Sequence, residues 1–179
     1  MNVQSSPWRG RLFVFSMLCA IILFVVLFAI SRASGESNIR QGVPAPSFVL
    51  QEVHGQKLRL ADIKPRALLV CFMATWDEPS RRQLRLLNDF IGQYGETNVS
   101  VLAMTIDEKD AGLLKKFVQQ EHLRYGVHLA DYDFIQSFGG VAAIPTTYVV
   151  DKNRDIIDKI VGSTETNALD ADLKAIMKQ

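Results

Sequence analysis

Cysteine is scarce in this chain, with two in 179 residues, Cys19 and Cys71. That excludes a small scaffold stapled by several disulfides. Histidine is nearly as scarce. The three histidines (His54, His122 and His128) are scattered and do not make a preformed zinc centre. An excess of charge of either sign is also missing, since 20 Lys and Arg meet 19 Asp and Glu for a net charge of +1. The chain therefore lacks the basic balance with which nucleic-acid binders neutralise phosphates. Internal repeats and low-complexity tracts are absent too. What is plentiful is apolar residues, 48% of the chain, too many for a disordered protein.

Those apolar residues are unevenly spread. Leu12 to Ser31 reads LFVFSMLCAIILFVVLFAIS, without a charge and with only Ser16 and Ser31 outside the hydrophobic set. As a helix this stretch is about 30 Å long, enough to cross the hydrocarbon core of a bilayer. It exceeds the apolar region of a cleaved signal peptide, although Ser31-Arg32-Ala33 has the small residues of a weak cleavage site. Cys19 lies within the span, preceded by Leu18 and followed by further apolar sequence, and reads as a lipid-facing or packing residue rather than a lipidation site. Arg9 and Arg11 precede the span, and Arg32 and Arg40 follow it with Glu36 between. This small bias favours a cytoplasmic segment over 1–11, a transmembrane anchor over 12–31 and a polar linker over 32–41. The remainder, 42–179, is then expected in the periplasm or another extracytoplasmic space. It holds 16 Lys and Arg against 18 Asp and Glu, the balance of an ordinary, slightly acidic domain.

Within 42–179 the hydrophobic period alternates between two values. Phe48 to Val53 and Lys57 to Leu60, separated by His54-Gly55, read as a β-hairpin. Ala67 to Ala74 (ALLVCFMA) is a continuous apolar run, the pattern of a strand buried on both faces. From Glu78 the spacing of Leu84, Leu87 and Ile91 is helical. Val99 to Ile106 predicts a second buried strand, and Ala111 to Glu121 an amphipathic helix. Val127 to Ala130 predicts a short strand, Tyr132 to Phe138 a short helix ending at Gly139-Gly140, and Thr146 to Val150 a strand. Ile156 to Val161 is its hairpin partner across Lys152 to Asp155, and Thr166 to Lys178 a terminal helix. Strands alternating with helices imply a parallel sheet core, to which the two hairpins add antiparallel edges.

Three segments carry a family resemblance. Ala74-Thr75-Trp76-Asp77-Glu78-Pro79-Ser80 directly follows the buried strand and opens a helix. Ile144-Pro145-Thr146-Thr147-Tyr148-Val149-Val150-Asp151 forms the second, and Gly42-Val43-Pro44-Ala45-Pro46-Ser47-Phe48 the third. Together they resemble the membrane-anchored thioredoxin-like proteins of the TlpA/ResA type, within the AhpC/TSA-redoxin superfamily. The resemblance covers essentially all of 42–179, and an N-terminal anchor is also typical of that family. It implies an α/β thioredoxin fold, a central mixed sheet flanked by helices with an N-terminal β-hairpin.

The resemblance also implies a chemistry that this chain departs from. The family acts through W-C-x-x-C at a helix N-terminus, where the first thiolate is stabilised by the helix dipole and attacks a disulfide, and the second thiol resolves the intermediate. Here Asp77 and Ser80 occupy the two cysteine positions, with Glu78 and Pro79 between them. A carboxylate cannot form a disulfide, and a serine hydroxyl near neutral pH does not replace a thiolate. No catalytic residue is therefore assigned, and Asp77 and Ser80 stand as degenerate motif positions. Asp77 suits an N-cap, accepting first-turn amides. Pro79 needs no donor in the first turn. Glu78 reads as a solvated first-turn acid and Ser80 as a helix-start residue. Arg81, Arg82 and Arg85 form a basic stripe, read as a solvated face. Cys71, inside the apolar run, reads as a small buried hydrophobe without a resolving partner.

Other positions keep a role open. Ile144-Pro145 matches the family's cis-proline loop, which faces the helix start and presents backbone to an extended peptide. The plainer alternative is that the proline only sets the start of a strand. Glu108 matches the place of a functional glutamate in ResA-like members, but has no cysteine to tune. Asp77, Glu78 and Glu108 are too few for a hard-cation site, so neither metal nor cofactor is expected. The groove residues are Trp76, Asp77, Glu78, Pro79, Glu108, Ile144, Pro145 and Thr146. The leading expectation is a non-redox protein-binding or assembly module that holds an extracytoplasmic protein or peptide segment, in envelope thiol–disulfide or cytochrome maturation. The alternative is an enzyme of altered activity using Cys71 or Asp77 with Glu108. A third reading is a structural spacer in a membrane complex.

Overall fold

The computed structural model describes residues 42–51, 57–107, 111–163 and 166–178. The anchor and linker expected over 12–41, the turn residues of the first hairpin and Glu108 lie outside the described residues. The elements are β1 (Val43–Pro44), β2 (Val49–Gln51), β3 (Lys57–Arg59), β4 (Ala67–Met73), α1 (Glu78–Tyr94), β5 (Val99–Thr105) and α2 (Ala111–Gln120). They continue with β6 (Val127–Leu129), α3 (Tyr132–Ser137), β7 (Thr146–Val150), β8 (Asp155–Val161) and α4 (Thr166–Met177). A single 3-10 turn, Leu60–Asp62, follows β3.

Six strands form a mixed sheet in the order β1-β8-β7-β4-β5-β6, with β4, β5 and β6 parallel and β7, β8 and β1 joined by antiparallel pairing. This is the thioredoxin-like α/β arrangement that the sequence pattern predicts, with one difference. The first hairpin does not extend the main sheet: β2 and β3 form a separate two-stranded sheet. The edge beyond β8 is instead taken by β1, where Val43 pairs with Ile156 and the Ala45 N–H donates to the Arg154 carbonyl at 2.7 Å.

β4 is buried along its whole length, which explains its unbroken apolar sequence. Its side chains alternate between the two faces of the sheet. Ala67, Leu69, Cys71 and Met73 join a core with Leu84, Leu87 and Phe90 of α1, Leu114 and Phe117 of α2, and Leu169, Leu173 and Ile176 of α4. Leu68, Val70 and Phe72 face the opposite core with Phe48, Leu50, Phe134, Phe138 and Tyr148. That second core is largely aromatic: Phe72 meets Phe138 edge-on at 5.5 Å, and Phe48 meets Phe134 at 5.2 Å between ring centroids. Three helices thus cover one face, while α3 and the small hairpin cover the other.

α1 is closed at both ends by its own sequence. Asp77 caps its N-terminus, Pro79 lies in the first turn, and Gly95 ends it at φ +84°, with the Gly95 N–H donating to the Ile91 carbonyl at 2.9 Å. This fixes where the helix starts, and so where the site lies.

Candidate functional site

The site forms where β4 ends and α1 begins. β7 runs antiparallel beside β4, and Thr146 pairs with Phe72. Pro145 and Ile144, one and two residues earlier, therefore lie alongside Met73 and Ala74. The topology brings the Ile144–Pro145 loop to the end of the sheet that also holds Trp76 and Asp77. The Ile144–Pro145 peptide bond is cis. The Thr146 hydroxyl donates to the Ala143 carbonyl at 2.7 Å, and the Pro145 carbonyl accepts from the Gly162 N–H at 2.7 Å. Pro145 and Thr146 are buried, so they hold the loop, while half-buried Ile144 reaches the surface.

At the helix start Asp77 is the N-cap of α1. Its Oδ2 accepts from the Ser80 N–H at 2.8 Å and from the Ser80 hydroxyl at 2.6 Å. The negative side chain also sits at the positive helix end. The Ser80 Oγ in turn accepts from the Ala74 N–H at 3.4 Å. Ser80 is fully buried, so it does more than start a helix: its hydroxyl links the end of β4 to the cap. The two positions that carry the family's thiols are joined here by hydrogen bonds.

A second carboxylate braces the turn from the neighbouring strand. Asp107, just past β5 and buried, accepts from the Thr75 N–H at 2.8 Å and the Thr75 hydroxyl at 2.5 Å through its Oδ2. The Thr75 carbonyl accepts from the Arg81 Nε at 2.9 Å. The sequence argument passed over Asp107 in favour of Glu108. The signal that could have found it is positional, because residues just past adjacent parallel strands converge at their carboxyl ends.

Trp76, sequence-placed at the groove rim, stands 70% exposed. Glu78 is also exposed, but not as a lone acid: its carboxylate pairs with Arg85 at 2.9 Å. Arg85 further pairs with Glu121 at 2.8 Å, and these two carboxylates, Glu78 first, raise its pKa above the usual arginine range. Arg81 approaches Glu121 at 3.7 Å and lies over the Phe117 ring at 5.6 Å. The stripe expected as a solvated face is exposed at Arg82 and Arg85, while Arg81 is half-buried. Arg81 and Arg85 both reach Glu121, just past α2, and so link α1 to the end of that helix.

Cys71 points into the core, fully buried, opposite Ala103 of β5 and Thr147 of β7. Burial pushes its thiol up to about 12, only partly offset by a hydrogen bond with Thr147. It is a neutral thiol at any ordinary pH, remote in chemistry from a reactive thiolate. Among the described residues no group of three or more His, Cys, Asp or Glu is placed to hold a metal ion.

The cis-proline loop and the capped helix start lie at one end of the sheet, as the resemblance implies, and the AhpC/TSA family profile matches residues 41–159. The chain belongs to the AhpC/TSA family. Among relatives within this family, a thiol-disulfide oxidoreductase ResA of Bacillus anthracis is 27% identical over 170 residues, covering 94% of this chain and 98% of its own length. A Bacillus cereus ResA is 29% identical over the same shares. Among solved structures, a candidate thiol:disulfide interchange protein DsbE from Chlorobium tepidum matches with a TM-score of 0.69 and 25% identity. It covers 78% of this chain and 99% of that chain. The AhpC/TSA assignment and the ResA likeness span the cap, the Asp107 brace and the cis-proline loop alike.

Proposed function

We propose that this AhpC/TSA member is a polypeptide-docking module that does not exchange disulfides. The observation that carries the reading is the Asp77–Ser80 hydrogen-bonded pair at the two thiol positions of the family's motif. The carboxylate is spent on the cap and the hydroxyl is buried, so neither offers a nucleophile to a disulfide. Cys71 does not substitute for them, being buried, neutral and without a second cysteine in 42–179. What the scaffold keeps is the cis Ile144–Pro145 loop beside the helix start, with Trp76 exposed at its edge.

The setting belongs to the same proposal. Among the described residues no helix is long and apolar enough to cross a membrane. The uncharged run over 12–31 supports a single anchor, and the arginines before it support an extracytoplasmic position for 42–179. The ResA likeness supports a role among envelope thiol–disulfide or cytochrome maturation proteins, as a holder of segments rather than a reductant.

A photo-crosslinker placed at exposed Ala143, next to the cis-proline loop, tests the docking reading in membranes. The account expects polypeptide adducts that persist in reductant and disappear when Pro145→Ala is added. Adducts indifferent to Pro145, or released by reductant, would contradict it.

A further inference from the structure

A cleft of about 500 Å³ opens at the end of the sheet opposite the Asp77 cap. It lies between β1, the β2–β3 hairpin with its 3-10 turn, and the turn 151–155 that joins β7 to β8. β7 runs antiparallel to β4, so this turn sits at the start of β4, about 20 Å along the strand from the helix cap. The volume falls in the range of small-molecule sites. Pro44, Phe48, Val49 and Leu60 give the cleft apolar walls. Phe48 and Leu60 are buried and joined through the Leu60 N–H, which donates to the Phe48 carbonyl at 3.4 Å. Val49 is exposed.

Two arginines line the same cleft. Arg59 is opposite Val49 in the β2–β3 pair, so both side chains leave the hairpin on one face. Arg154 lines it from the β7–β8 turn, where its carbonyl accepts from the Ala45 N–H at 2.7 Å. Asp151 holds that turn, since its Oδ1 accepts from the Asn153 N–H and the Asp155 N–H at 2.9 Å each. Arg154 itself has φ +73°, a left-handed conformation that glycine adopts at lower cost. The turn thus keeps a cation where a glycine would suit the backbone better. Among the described residues neither guanidinium is ion-paired. Asp155 lines the cleft as well, so two cations and one carboxylate leave it a net charge of about +1.

We propose that this cleft binds a small monocarboxylate carried on an apolar body, such as an aryl or branched alkyl acid. The apolar body would rest on Phe48, Val49 and Leu60, and the carboxylate would face Arg59 and Arg154. A guanidinium matches a carboxylate with two parallel N–H donors, which a neutral ligand of the same shape cannot use as well. Charge complementarity selects the monoanion, because it balances the net charge of the lining. A phosphate monoester carries close to two negative charges, and the excess would meet Asp155. The cleft is remote from the thiol positions of the motif, so this inference stands apart from the docking reading.

Equilibrium dialysis of the full chain with phenylacetate is the test. Phenylethanol keeps the apolar body without the charge, acetate keeps the charge without the body, and phenyl phosphate carries the larger charge. Phenylacetate is expected to bind, and the other three at least about tenfold more weakly. Arg59→Gln and Arg154→Asn should each weaken phenylacetate binding by about tenfold and leave phenylethanol binding unchanged. Asparagine tolerates the left-handed backbone at 154, so that variant keeps the turn. Arg82→Gln is the control, since Arg82 is exposed on α1 and does not line the cleft. It should leave affinity within about twofold. Equal binding of phenylacetate and phenylethanol, no binding of phenylacetate, or phenyl phosphate binding as tightly as phenylacetate would overturn the proposal. So would unchanged affinity in both cleft variants, or an equal loss in Arg82→Gln.

Discussion

The Asp77 carboxylate accepts both the backbone N–H of Ser80, at 2.8 Å, and its hydroxyl, at 2.6 Å. Two residues three apart, each able to bond the other, hold the first turn of α1 together where a pair of thiols would otherwise meet. The link is redox-inert, so the helix start has the same covalent structure in oxidising and reducing surroundings. Its disruption should be visible as stability. Asp77→Ala removes the cap and leaves a buried hydroxyl without its acceptor, and should cost about 1–2 kcal/mol in urea unfolding. Asp77→Asn should recover most of that loss, because asparagine caps nearly as well.

The brace from β5 makes a second stability prediction. Asp107→Ala leaves the Thr75 N–H and hydroxyl without the acceptor at 2.8 and 2.5 Å, inside a site almost closed to water. The expected cost is about 1–3 kcal/mol. Amide exchange at Thr75 should speed up more in Asp107→Ala than in Asp107→Asn. Equal exchange in the two variants would show that the carboxylate does not hold the turn.

How far the sequence revealed this site depends on how local each interaction is. The Asp77 cap, Pro79 in the first turn and the Ile144–Pro145 loop were legible because each depends on near neighbours in sequence or on a short motif. The strand cores of β4 and β5 were legible because unbroken apolar runs mark them. The interactions that escaped are long-range. Asp107 meets Thr75 across 32 residues, and Arg85 meets Glu121 across 36. β1 has two residues, too short for a period, and its partner Ile156 lies at the far end of the domain. The detachment of the first hairpin from the main sheet is likewise a matter of packing, since Phe48 and Leu50 answer to the aromatic core rather than to a strand edge.

Cys71 should behave as core. In a Cys19→Ala background, where it is the sole cysteine, a thiol reagent at pH 8–9 should not modify the folded chain, because the thiol titrates only at about 12. Modification should appear on unfolding in denaturant. Rapid labelling of the folded chain would place a reactive thiol where the structure shows none.

A carboxyl pair on the sheet's helix-covered face gives the fold a pH dependence. Asp158 of β8 is buried, and Asp172 of α4 is hydrogen-bonded to it. Burial first, then the neighbouring Asp158, raises Asp172 to about 7. The folded state thus holds a proton that the unfolded chain has already released, and stability falls as pH rises from the ordinary carboxylate range, about 4, towards 7. Below that range the effect is fully present in favour of the folded state. Unfolding midpoints measured from pH 4 to 8 should decline across this window, and Asp172→Asn should flatten the decline. A flat profile in the unaltered chain would contradict the shared proton.

The central claim is that the chain keeps a redoxin scaffold while its thiol chemistry is gone. The most direct measurement is insulin-disulfide reduction by the full chain beside its Asp77→Cys, Ser80→Cys double variant. The account predicts no activity above background for the chain itself and clear activity for the variant, whose thiols would sit at the positive end of α1 beside the cis-proline loop. Disulfide reduction by the unaltered chain would contradict it.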